Sequence, residues 1–162
     1  EDLSRGLGDV YKRQVPQSLS LDTNTCKTTF YPQGTNGITY RQVISPLPDL
    51  NNEERSLLSL HNRVLTETGL DKNDYLHTQI RQTQVCGGIN AYSSLRAARD
   101  NEQQTRGYFV LSSKGLASHS RDIDELLADT LHTARFDEQQ RIRELVALSA
   151  NRAEQSLSLI HI

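Results

Sequence analysis

The chain has 162 residues, 18 Lys and Arg against 20 Asp and Glu, and a formal net charge of -2. That balance gives no electrostatic argument for nucleic acid or an anionic membrane surface as a partner. With 35% hydrophobic residues, no run approaches the roughly 20 apolar residues that a bilayer requires.

In chain order, Glu1 to Gln14 (EDLSRGLGDVYKRQ) mixes glycine with charge and holds no helical or strand period. It and the final residues 157–162 resemble translated sequencing-adapter read-through, familiar from assembled metagenomic reads, and both are set aside as one would an expression scar. The opening is too charged, and its apolar run too short, for a secretory signal. The expectation is one α+β domain over residues 15–156, soluble and cytoplasmic rather than exported, long enough to bury a core.

Lys27 to Tyr31 is rich in β-formers, Pro32 to Gly37 supplies turn residues, and Ile38 to Ile44 resumes a strand, which predicts a hairpin. Pro46 and Pro48 stop the strand, and Asn51 with Glu54 three residues on has the form of a capping box. Leu57, Leu60, His61, Val64, Leu65 and Thr68 then fall at helical spacing, with Gly69 where a left-handed cap belongs. A second helix is expected from near Asp71, with Leu76, Ile80 and Thr83 on one side, ending at Gly87 and Gly88.

Ile89 to Leu95 alternates as a half-buried strand, and Asp100 to Thr105 reads as a polar connector. Arg106 to Lys114 is the strongest strand, apolar on both faces through Tyr108, Phe109, Val110 and Leu111, which predicts a central position. Ser120 or Asp122 is expected to cap a third helix with Ile123, Leu126, Leu127, Leu131 and Ala134 as its stripe. Asp137 opens a fourth, burying Ile142, Leu145, Val146 and Ser149. The order β-β-α-α-β-β-α-α predicts an antiparallel sheet with helices packed on one face.

Chemical motifs are sparse. A helical metal site places ligands at i and i+4. His61, His77, His119 and His132 each lack His or Glu at that place. His61 sits beside its helix's apolar stripe, where a histidine bonded to a neighbour is the expected role; the other three are expected on solvated faces, and His161 belongs to the tail. The only G-x-G, Gly6 and Gly8, lies in the leader with Tyr11 where a third glycine would be needed. No G-x-S-x-G elbow or thiol-protease signature is present. Cys26 and Cys86 lie outside any Cys-x-x-Cys spacing, so two thiols are expected in preference to a disulfide, and Cys86 reads as a packed thiol rather than a nucleophile. Arg96, Arg99 and Arg106 surround Asp100 and Glu102, which predicts a self-neutralising surface. The sequence therefore assigns no catalytic, cofactor-binding or metal-binding residue.

The run Thr35-Asn36-Gly37-Ile38-Thr39-Tyr40, then Gly87-Gly88-Ile89, then Gly107 to Leu116 (GYFVLSSKGL), resembles the pitrilysin/insulinase-type metallopeptidases, in their presequence-protease branch. The resemblance covers Thr28 to Gln155 and includes Phe136 in the helical pair; Cys86 departs from it, standing where relatives commonly carry Thr. It implies four related α+β domains closing around a chamber. Zinc would be held by a His-x-x-Glu-His helix in the first domain, polarising the scissile carbonyl and activating water, with the motif Glu as general base. This segment matches the third domain, which carries no zinc ligand. The implied role is a non-catalytic wall of the chamber, with zinc and peptide substrates belonging to the parent and the other domains of the same polypeptide as partners. No nucleic acid or membrane partner is implied. The alternative is a non-catalytic α+β interaction or assembly domain of an inactive or unrelated protein. A stand-alone enzyme is the third possibility, but no nucleophile or acid/base pair is visible. Isolated, such a piece is expected to be marginally stable and to self-associate through uncovered apolar faces and strand edges.

Overall fold

The computed structural model describes residues 19–22, 27–98 and 101–160, with side chains over 27–97 and 105–155. The leader expected at 1–14 lies outside the described residues, as do Cys26 and His161. The chain divides into two compact units, residues 1–36 and 37–162.

In the first unit, β1 (Leu19–Asp22) pairs antiparallel with β2 (Lys27–Phe30), Leu19 opposite Phe30 and Asp22 opposite Lys27. This corrects the expected hairpin, in which Lys27 to Tyr31 pairs with the strand that follows. Asn36 and Gly37 do adopt the positive φ expected of turn residues, 51° and 78°. That turn launches β3 (Ile38–Pro46) towards β5, and the two strands stay in register from Ile38 opposite Leu116 to Pro46 opposite Tyr108.

The second unit is a three-stranded antiparallel sheet in the order β3-β5-β4, with β4 Ile89–Ala98 and β5 Asn101–Leu116. The strand that is apolar on both faces is indeed the central one. The polar stretch expected as a connector is instead mostly strand: β5 begins at Asn101, opposite Ala98, so β4 and β5 form a long hairpin. A polar sequence can extend a sheet where the ladder beyond the core meets water.

Four helices follow the expected order among the described residues: α1 (Asn52–Glu67), α2 (Tyr75–Val85), α3 (Ser120–Thr133) and α4 (Gln139–Ile160). The capping box on α1 is complete, Glu54 N–H donating to Asn51 Oδ1 at 3.0 Å and Asn51 N–H to Glu54 Oε2 at 2.8 Å. α2 starts at Tyr75, later than expected, because Asp74 caps it by accepting from His77 N–H at 2.9 Å. Neither Ser120 nor Asp122 caps α3. A 3₁₀ turn, Ala117–His119, leads directly into it, and the Ser120 hydroxyl accepts from Arg41 instead. α4 opens at Gln139, since Asp137 is held by Arg135.

The core lies between the sheet and the helices. Leu70, Cys86, Leu111, Ile123, Leu126 and Leu127 are buried together, with Val85, Ile89, Ala91, Phe109 and Ala134 packed against them. Asn62 donates to Ser93 Oγ at 2.9 Å, and Arg41 bonds Asp124 at 2.8 Å. All the sheet residues in these contacts occupy alternate positions of one face, so the helices pack on that face of an α+β layer pair. Outside this cluster, α1 buries Val64, Leu65 and Thr68, and α4 buries Leu145. Several residues of the predicted stripes are exposed nonetheless: Leu57 on α1, Leu76 and Ile80 on α2, Leu131 on α3 and Val146 on α4.

Gly69 is also corrected. Its φ is not in the left-handed region; α1 ends at Thr68, which is extended at φ -100° and ψ 174°. The position excludes a side chain because a Cβ would run into the Asn73 carbonyl and lie 2.8 Å from Glu138 Oε1. Gly69 N–H donates to Glu138 Oε2 at 3.0 Å, its carbonyl accepts from Arg135 N–H at 2.9 Å, and Asp71 N–H reaches Thr133 O at 2.9 Å. The α1–α2 and α3–α4 connections are thus stitched together.

Candidate functional site

The four described histidines do not converge. His61 stacks on Phe136, ring centroids 5.7 Å apart and planes 13° from parallel, with Nδ1 3.4 Å from Asn62 Oδ1. His77 Nδ1 lies 2.7 Å from Asp74 Oδ1 at the start of α2. His119 Nδ1 is 3.3 Å from Val85 O, and His132 is exposed in the last turn of α3. Among the described residues, no group of three or more His, Cys, Asp or Glu side chains could hold a metal ion. The donor set among the described residues does not fit zinc.

Cys86 is a free, buried thiol at the end of α2, packed in the core. Arg96 and Arg106 stand opposite each other across β4 and β5. The side chains of Arg99, Asp100 and Glu102, which would complete the expected self-neutralising surface, lie outside those described.

Three groups among the described residues have displaced ionisations. The Asp74 carboxyl is held below the usual carboxylate range, first by the N–H of His77 at the helix start and then by the His77 ring. Asp137 is likewise lowered, first by the Arg135 guanidinium, which donates to both carboxylate oxygens at 3.2 and 3.0 Å. The guanidinium is raised in turn by that bond. Both pairs shape helix ends.

What the fold does present is a surface. The sheet face opposite the helix contacts carries Tyr40, Gln42 and Ile44 from β3, Tyr108, Val110 and Ser112 from β5, and Asn90, Tyr92 and Ser94 from β4. Ile44, Val110 and Tyr92 are partners across all three strands, with Val110 buried at 2% exposure and the outer two exposed. Cations stand at its ends, Lys114 opposite Tyr40 and Arg106 opposite Arg96. From Arg106 to Leu116 the β5 positions of this face hold no carboxylate, and neither do β3 from Tyr40 to Ile44 or β4 from Asn90 to Arg96. Tyrosine, amide and hydroxyl groups together give this face apolar area and hydrogen-bonding groups side by side. The sequence held part of the signal for it, the alternation of Ile89 to Leu95, but did not say which face the helices would take.

An antiparallel sheet with helices packed against it defines an α+β class of domain. Residues 2–159 match the family model described as Peptidase M-16C associated, and the chain belongs to that family. It is similar to Presequence protease 1, chloroplastic/mitochondrial, of Arabidopsis thaliana, 28% identical over 158 residues, covering 95% of this chain and 14% of the relative. Mitochondrial presequence proteases of Danio rerio and Xenopus tropicalis are each 26% identical, covering 78% and 73% of this chain and 12% of either relative. The chain therefore spans only about one seventh, 14%, of the length of the first of these. The expected likeness to the presequence-protease branch is met. No described helix is long and apolar enough to cross a membrane.

Proposed function

We propose that this domain is a non-catalytic wall of a peptide-degrading chamber in a larger zinc metalloendopeptidase, helping to admit short or unfolded peptides to a metal site carried elsewhere on the polypeptide. The observation that carries the reading is the family match over residues 2–159, in a chain that spans 14% of a presequence protease. The helix-free sheet face supports it: Tyr40, Tyr92 and Ile44 offer apolar contact, while Gln42, Asn90 and Ser112 offer hydrogen bonds to a passing backbone. The family match does not favour the alternative of an unrelated interaction domain.

Two assays test the reading. The isolated chain, given a quenched unstructured peptide with zinc or with chelator, is expected to show no turnover in either case; cleavage that chelation abolishes would overturn the non-catalytic role. In the intact polypeptide, Tyr40→Ala with Tyr92→Ala is expected to raise KM for peptides several-fold with kcat retained, the signature of lost uniform binding. Unchanged KM would remove the sheet face from the chamber wall.

A further inference from the structure

α2 is folded inside out. Its two large aliphatic side chains, Leu76 and Ile80, stand one turn apart and are 53% and 56% exposed, whereas Thr78 on the opposite side is buried to 3% with its hydroxyl unpartnered. Apart from Val85 at its end, which packs on the core, the inward side is held by polar groups: Gln82 donates to Thr66 O at 3.2 Å, Arg81 to Asp129 at 2.7 Å, and Arg141 lies 4.4 Å above the Tyr75 ring. A helix that had only to cover this core would turn the other way, burying the aliphatic pair and exposing the threonine. Its outward apolar row therefore answers to something outside the described residues.

We infer that the Leu76–Ile80 row of α2 is the surface on which another part of the same polypeptide docks. The occupant is argued from length and family: the relatives are some seven times longer than the matched segment, at 14% coverage, and the family is described by its association with a peptidase. The row carries no charge, as the centre of a permanent interdomain contact should not. This assignment rests on the proposal that the chain is one domain of a larger peptidase, and it gives the two sides of the domain different duties. The helix-free sheet face meets substrate, and α2 meets the rest of the protein.

Position-specific thiol labelling tests it. With Cys26→Ser as background and Cys86 buried, Ile80→Cys and Tyr40→Cys are each compared in the isolated chain and in the intact polypeptide, labelling being read by mass spectrometry of the matching peptide. Labelling of Ile80→Cys is expected to be at least about tenfold slower in the intact polypeptide, the factor that 1.4 kcal/mol of docking supplies, and Tyr40→Cys is expected to react alike in both. Equal labelling of Ile80→Cys in both overturns the docking assignment. So does slowing that appears in the isolated chain as its concentration rises, which would make the occupant a second copy. Protection of Tyr40→Cys alone counts against the chamber wall and, with position 80 still labelled freely, against docking through α2 as well. As an independent measure, Leu76→Lys with Ile80→Lys should leave the melting temperature of the isolated chain unchanged and lower that of the intact polypeptide; equal effects on both would overturn the inference.

Discussion

Gly69 shows how a residue can be required for a reason that its local sequence misstates. The position reads as a left-handed helix cap, yet its backbone is ordinary, and substitution is opposed by the Asn73 carbonyl and the Glu138 carboxylate. Glycine to alanine at an unstrained φ would otherwise gain about 0.4–1 kcal/mol from a stiffer unfolded chain. Overpacking against backbone costs about 1–3 kcal/mol, so Gly69→Ala is expected to destabilise, seen as a lower urea midpoint; an unchanged or raised midpoint would contradict the crowding. No local pattern encodes this, because Glu138 arrives from another helix connection. Asp74 makes a prediction in pH. Its carboxyl is lowered in the folded state, so its contribution is complete above the unfolded carboxylate pKa and is lost as pH falls through the folded one. Stability of wild type relative to Asp74→Ala should shrink as the medium is acidified through that window; a difference independent of pH would refute the capping role.

At the scale of elements, the existence of all four helices and the central place of β5 were legible, because capping residues, helical spacing and a doubly apolar strand are local signals. Orientation was not always so. α1 and α3 bury the stripes their periodicity indicates at Val64, Leu65, Ile123, Leu126 and Leu127, while α2 turns its stripe outward. The face a helix buries is settled by what its neighbours offer: Thr66 O, Asp129 and Arg141 offer polar partners, which no reading of α2 alone reveals. Thr78→Val should raise stability by about 1 kcal/mol, since it removes a buried hydroxyl that has no partner. A loss in thermal unfolding would show that the hydroxyl is satisfied in solution. Asn51→Ala, which removes the side-chain bond from Glu54 N–H and leaves the backbone bond from residue 51 to Glu54 Oε2, should cost about 1 kcal/mol by the same measurement. The candidate surface was half legible: the alternation of Ile89 to Leu95 in β4 marked a two-faced strand, but which face stays clear of the helices was settled by where they pack.

For the whole molecule, the exposed aliphatic and aromatic side chains on α1 and the helix-free sheet face, among them Leu57, Tyr40 and Ile44, predict reversible self-association of the isolated chain. Sedimentation should show a mass that rises with concentration; a monomer across the range would argue against it. The sheet order also sets a sequence of events. β4 and β5 are joined by the chain itself and can close early, whereas β3 must wait for β5 to be threaded past two helices and its own hairpin partner. High contact order is thus concentrated in a single outer strand. The seat that β3 fills last is the one a β3 from a neighbouring chain could fill first, which makes strand exchange between copies the characteristic misassembly of this fold.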